Sequence, residues 1–444
     1  MNENKILFKT VKHFFPEMRA WIKGMKEPRK YEKQITYSKV VMFWVGICLF
    51  LLKLGARRQI NYKLKTAQML QNISMIAKEV VTTMMYDGAL AYFMKKIETT
   101  ELEGIRFMML SRLLRMRCLE KFRVFGYYLI GIDLTGFLSF NYQHCEHCLT
   151  KKNKDGKILY WYHPVVEAKL ICANGMVLSI ATEFVENPSQ KVKRQDCEIK
   201  AVYRLEEKLK KYFPQLNICL LLDGLYPKKK VFDFCKKNHW KYIITFKEGA
   251  MRAIFAEYIT LRSLGKEDCA KTNKKGIVQE YRWVNGIEYK GLFLNVLECE
   301  ETTKKKDEAG KTIEKKTKFI WLTNFEITRD NYDLLANKGG RKRWKIENEG
   351  FNMQKNGGYA LEHCYCQNLK AAKNFYLLLQ IAHIINQLME LGSLLKGDVK
   401  KIYGSIKNFT AALLDSLRNS VIDLSEFRAI ETSAFQIRLR GPTS

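Results

Sequence analysis

Two short apolar runs, "YYLIGID" and "NICLLLD", each close on an aspartate, and no other feature restricts the fold as strongly. A run that is apolar at every position marks a strand covered on both faces, as in a parallel sheet. A carboxylate at the end of such a strand is costly to bury unless something pairs with it. If the two strands are adjacent and parallel, their ends bring Asp133 and Asp223 into one pocket. Each aspartate also has a plainer reading, since both are followed within three residues by glycine and Asp before Gly commonly caps a turn.

The pattern around these runs predicts an α/β core. "KILYWYHPVVEAKLICA" and "MVLSIATEFV" read as strands after the first run. Residues 195–213 then turn helical, with Ala201, Leu205 and Leu209 on one face. The second run is followed by a helix at 231–238 and a strand at "KYIITFKEG". The expected order is three strands, helix, strand, helix, strand. From 251 to 335 the segments "IVQEYRWV", "YKGLFLNVLECE" and "KFIWLTNFEI" read as a small β-rich insertion, with a charged loop at 301–316. Residues 1–120 are helical in pattern, chiefly at 62–78 and 89–121, and helix returns after Gly340 and again over 396–444.

Charge narrows the partners. Lys and Arg number 76 against 46 Asp and Glu, a formal +30 spread along the whole chain, which favours a polyanion. Basic residues alternate with aromatic ones, as at Lys342, Arg343, Trp344 and Lys345, and this favours nucleic acid over an anionic membrane. Arg57 and Arg58, ahead of an amphipathic stretch, suit a DNA-contacting helical module; an ordinary packing domain is the alternative. The uncharged run at 40–52 is shorter than the roughly 20 residues that span a bilayer and is read as buried helix. Lys5, Lys9, Lys12 and His13 interrupt any signal-peptide pattern, so a cytoplasmic protein is expected, with its 12 cysteines reduced.

Enzymes that cut nucleic acids with two metal ions need hard, anionic oxygen ligands gathered from separate parts of the chain. A third acid is expected on the helix "RKRWKIENEGFNMQKN", where Glu347 and Glu349 compete. At about 100° per residue, Arg343, Glu347, Phe351 and Gln354 share one side, with Trp344 close by. Glu349 points elsewhere, placed to pair with Lys345 in solvent. Glu347 is therefore preferred, with Arg343 holding the carboxylate or contacting a phosphate.

Together, "IGIDLTG", "LLLDGLY" and "RWKIENEGFNMQK" resemble the insertion-sequence transposases of the Asp-Asp-Glu class that carry a β insertion before the glutamate. The resemblance spans residues from about 50 to 395. It implies a ribonuclease-H-like mixed sheet flanked by helices, split into 121–250 and 336–395 by the insertion at 251–335. A helical DNA-binding domain at 1–120 and a helical tail at 396–444 complete the expected organisation. It further implies that Asp133, Asp223 and Glu347 bind Mg²⁺, with Mn²⁺ as a substitute, and cleave and join double-stranded DNA, element ends and target alike. A homodimer that synapses two ends, in a prokaryotic and nucleoid-associated setting, is part of the same implication. A nuclease that cuts without joining and a non-catalytic DNA-binding protein are the alternatives. The family's last helix carries a Tyr-Arg-Glu-Lys pattern; Arg343 and Glu347 match it, whereas Gly340 stands at the Tyr position and Gln354 at the Lys position, with Lys355 next to it as a DNA contact.

Two clusters of softer ligands remain. "HCEHC" at 144–148 holds Cys145 and Cys148, and His163 lies on an expected strand; these three suit a structural zinc. A single Cys-x-x-Cys is also compatible with a turn and packed thiols. "HCYC" at 363–366 offers three more ligands, while Asp196 and Glu198 are read as acids at a helix N-terminus.

Overall fold

The computed structural model describes residues 2–30, 35–189, 194–274, 276–306, 312–395 and 397–441. Its first part is helical: α1 Glu3–Phe14, α2 Met18–Gly24, α3 Lys39–Leu51, α4 Ile60–Lys63, α5 Ala67–Ala77, α6 Asp87–Lys96 and α7 Thr99–Arg115. The Ser38 and Thr66 side chains start α3 and α5 by accepting the N–H groups of Val41 and Met69. The apolar run at 40–52 is buried throughout, as an all-round apolar helix must be. No helix among the described residues is long and apolar enough to cross a membrane. The expected stretch at 89–121 is broken in two where Ile97 turns extended.

The middle of the chain contains β1 Tyr128–Phe140, β2 Leu149–Lys152, β3 Ile158–Ile171, β4 Val177–Phe184, α8 Glu198–Tyr212, β5 Ile218–Leu222, α9 Lys229–Lys237 and β6 Lys241–Thr245. Then come α10 Arg252–Ser263, β7 Asp268–Lys274, β8 Ile277–Tyr289, β9 Leu292–Lys306 and β10 Thr312–Thr323. The strands form one mixed sheet in the order β2-β3-β1-β5-β6-β10-β9-β8-β7, with β4 also paired to β3. β1, β5 and β6 are mutually parallel and the other pairings antiparallel. The fold is thus mixed α/β, a mixed sheet flanked by helices.

Several expectations are corrected. β1 does not stop at Asp133 but continues to Phe140, because its second half pairs with β3 across a bulge at Gly136/Leu138. The short strands β2 and β7 carry too few apolar residues in regular spacing to stand out in the sequence, and the segment expected to be β-rich from 251 opens instead with the helix α10, whose Ile254, Tyr258 and Leu261 stand at helical spacing. The charged stretch at 301–316 is strand at both ends, since β9 and β10 form a long hairpin whose residues 307–311 lie outside the described residues. β10 pairs with β6, so the β-rich segment extends the central sheet.

The remainder is α11 Tyr332–Leu334, a π-helical turn Leu335–Gly339, a 3₁₀ turn Gly340–Arg343, a π-helical segment Ile346–Asn352 and α12 Met353–Asn356. After it come α13 Leu369–Leu391, α14 Val399–Tyr403, α15 Ile406–Asn419 and α16 Leu424–Thr432. The single regular helix expected over "RKRWKIENEGFNMQKN" is therefore replaced by tighter and wider turns. α13 is buried along nearly its whole length and packs against α3, α6, α7 and β4. α15 and α16 pack against α1, joining the two terminal regions.

Strand alternation separates two apolar clusters. Ile130, Ile132, Ile218, Leu220 and Leu222 belong to the large cluster shared with the helices. Leu129, Cys219, Leu221 and Ile243 belong to a smaller one on the opposite face, with Trp321, Ile346 and Phe351. A buried ionic group sits between α7, β3 and β4. Glu167 accepts hydrogen bonds from Ser179 Oγ at 2.7 Å and from Thr182, with Arg106 at 3.8 Å and Lys169 at 3.9 Å. One carboxylate faces two cations there, all of them buried.

Candidate active site

Register and alternation together place the two aspartates. The β1–β5 ladder pairs Leu129 with Cys219 and Gly131 with Leu221. Two residues beyond that last pair lie Asp133 and Asp223, on the face of Leu129, Gly131, Cys219 and Leu221. β5 ends one residue before Asp223, so the parallel ladder stops where both carboxylates emerge. The turn-capping reading applies to Asp223 alone, whose Oδ1 accepts the Leu225 N–H at 2.8 Å; Asp133 lies within β1 and caps no turn, its Oδ1 accepting the adjacent Leu134 N–H at 3.0 Å. Each aspartate retains a second carboxylate oxygen for other work.

Glu347 reaches the same place through backbone approach. A Cβ at Gly131 would lie 3.3 Å from Ile346 Cβ and 2.8 Å from Ile171 Cδ1, so the absent side chain lets the π-helical segment settle on β1. Ile346 is fully buried there, and the next residue is Glu347. Arg343 joins the acids: its guanidinium lies 2.9 Å from Glu347 Oε1 and 3.7 Å from Asp133 Oδ2, and it also stacks 5.0 Å from the Trp344 ring. Glu349 instead pairs with Lys345 at 2.7 Å, as expected. Gln354, expected beside Glu347, is buried with Lys169, Gln380 and His383, because the wide π turns shift its angular position.

A glycine at position 340 has a steric cause. A Cβ at this position would run into the indole of Trp321 on β10, and one at Gly339 into Ile243 on β6. The two glycines let the chain pass flat across the sheet just before Arg343, and a tyrosine has no room where Trp321 already fills the space.

Sequence reasoning undervalued Glu198. It opens α8, as read, but it also accepts the Tyr226 hydroxyl hydrogen. Burial raises its carboxyl pKa above the usual range, and Asp223 adds to that rise. Burial likewise pushes Asp133 up to about 7; Leu134 N–H and Arg343 oppose the rise, and Glu347 and Glu198 reinforce it. Tyr226 is driven well above its ordinary value by burial, with Glu198, Asp133 and Asp223 all contributing. These mutual effects bind four acids into one electrostatic neighbourhood. The available signal was Tyr226, a buried phenol three residues after Asp223 that needs a polar partner.

A cleft of about 750 Å³ opens beside the acids, lined by Asp223, Lys247, Lys318, Arg341, Arg343 and Trp344 among others. Its cations suit an anionic ligand and its oxygen donors a hard divalent cation, whose charge would offset the burial, and after it the Glu347 and Glu198 charges, that raise the Asp133 carboxyl. The other expected contacts lie elsewhere. Lys355 pairs with Glu362 at 2.7 Å. Arg57 is held by Asp87 at 2.8 Å and by the Tyr365 carbonyl at 3.0 Å, while exposed Arg58 shares a second cleft with Lys95, His363 and Cys364. Cys145 and Cys148, in the loop beyond β1, do come together with His163 on β3, joined by His144; among the described residues theirs is the one His/Cys/Asp/Glu group with convergent ligand atoms.

No protein-family profile and no curated protein matches this chain.

Proposed function

We propose that the chain is a DNA transposase of the Asp-Asp-Glu class on a ribonuclease-H-like core, cleaving the ends of an insertion element and joining them to target DNA. The observation that carries this reading is the shared level of Asp133 on β1 and Asp223 just past the end of the adjacent parallel strand β5, with Arg343 linking Asp133 to Glu347. Mg²⁺, or Mn²⁺ in its place, held by Asp133, Asp223 and Glu347, would activate a nucleophilic water or 3′-hydroxyl and stabilise the leaving oxygen. Arg343 orients the acids and offers its remaining donors to a phosphate. Lys247 lines the path of an anionic backbone, beside Lys318 and Arg341, which are ion-paired with Glu298 and Glu301, and Trp344, half exposed at the cleft, gives a base or sugar a flat apolar surface. Glu198 holds Tyr226 and adds negative charge behind the aspartates. Two copies acting on paired ends complete the proposal.

The test uses DNA carrying both flanks of the chain's own gene, with Mg²⁺, scored for nicking and for joining. Asp133→Asn, Asp223→Asn and Glu347→Gln should each abolish both products while gel-shift binding persists. Cleavage without joining points to a nuclease, and binding without either product to a non-catalytic DNA-binding protein.

A further inference from the structure

A second group of side chains, in the loop that follows the Asp133 strand and on β3, has the geometry of a closed tetrahedral site. Cys145 Sγ and Cys148 Sγ lie 3.8 Å apart, and His163 Nε2 lies 3.5 Å from the first and 3.3 Å from the second. With Zn–S near 2.3 Å and Zn–N near 2.0 Å, the edges of a zinc tetrahedron are about 3.8 Å between sulfurs and about 3.5 Å between sulfur and nitrogen. The three separations therefore trace one face of such a tetrahedron. A disulfide is not formed, since bonded sulfurs lie about 2.05 Å apart. His144 supplies a fourth donor, and all four ligand atoms fall within 4.8 Å of one another.

The surroundings fit a metal better than packed thiols. His163 is 1% and Cys148 5% exposed, so neither meets water freely. Nδ1 of His144 is buried without a hydrogen-bond partner among the described residues, which leaves it open to a metal. The Cys145 N–H donates to Cys148 Sγ at 3.3 Å, an arrangement that supports a thiolate. The His144 ring stacks on Phe140 with centroids 4.2 Å apart, which fixes its plane. Asn187, just beyond β4, donates to the Cys148 carbonyl at 2.8 Å, and its own carbonyl lies 2.8 Å from His147 Nδ1.

We infer that His144, Cys145, Cys148 and His163 form a structural Zn²⁺ site that clamps the loop after β1 onto β3. Four protein ligands leave no open position, so the metal is structural and takes no part in strand cleavage. His163 lies opposite Leu138 in the β1–β3 register, immediately after the bulge. The metal thereby pins the half of β1 that extends beyond Asp133, where β5 gives no support.

Metal analysis of the purified full-length chain, after gel filtration with a mild chelator, should find one zinc per chain. X-ray absorption at the zinc edge should show two sulfur and two nitrogen neighbours, a readout that needs no variant. The double variant Cys145→Ser/Cys148→Ser should lose the zinc, and Glu347→Gln should keep it. A wild-type chain that is metal-free with both thiols open to alkylation would overturn the inference, as would a Cys145–Cys148 disulfide or an oxygen-only zinc shell.

Discussion

Asp133→Asn should stabilise the protein while destroying its proposed activity. The Asp133 carboxyl is displaced from 3.8 to about 7, chiefly by burial and then by Glu347 and Glu198. A raised carboxyl favours the folded state fully below about pH 4, and this contribution is lost as pH rises through about 7. Its full extent is roughly 4 kcal/mol. With the side chain 17% exposed, solvent screening trims this to about 2–4 kcal/mol. Asparagine keeps an acceptor for the Leu134 N–H and never ionises. Urea melts of both proteins from pH 4 to 9 should therefore nearly coincide at pH 4, draw apart between about pH 4 and 7, and keep a constant gap above pH 7, with the variant more stable. Mg²⁺ should close the gap by stabilising the wild type alone. A variant that is less stable at pH 8, or a gap that ignores pH, would refute the electrostatic argument.

Glu349→Gln should retain cleavage, whereas Glu347→Gln loses it; the opposite result in a nicking assay would exchange their roles. DNA affinity should fall steeply with salt, log Kd against log salt rising by about 0.9 for every phosphate neutralised, and a flat titration would argue against backbone contacts. Glu167→Ala should cost about 3–5 kcal/mol in urea melts, because it strands Arg106 and Lys169 in the core.

The aspartates were legible because burial on both faces leaves a continuous apolar run, and a carboxylate ending such a run is conspicuous. Glu347 was separable from Glu349 because Arg343 and Lys345 each sit four residues ahead, and that pairing survives the change from α to π turns. The position of Gln354 depends on the turn itself, so regular-helix reasoning misplaced it. The extension of β1 was hidden because "LTGFLSF" alternates weakly and its glycine reads as a stop, whereas the glycine lies at a bulge in a long antiparallel ladder. Glu198 was hidden by a sufficient local explanation, the first turn of α8. Its second role depends on Tyr226, which only the packing of α8 against the chain after β5 reveals. For the cysteine and histidine cluster the spacing alone was ambiguous; His144 joins the group through the fold of the loop after β1.

The central claim, that Asp133, Asp223 and Glu347 hold one metal centre, is tested most directly by affinity cleavage. Fe²⁺ in place of Mg²⁺, with ascorbate and peroxide, cuts the polypeptide beside the bound ion. The account predicts fragments ending near residues 133, 223 and 347 that disappear together in Asp133→Asn and in Asp223→Asn. Cuts at none of these positions, or cuts near 347 that persist without the aspartates, would contradict it.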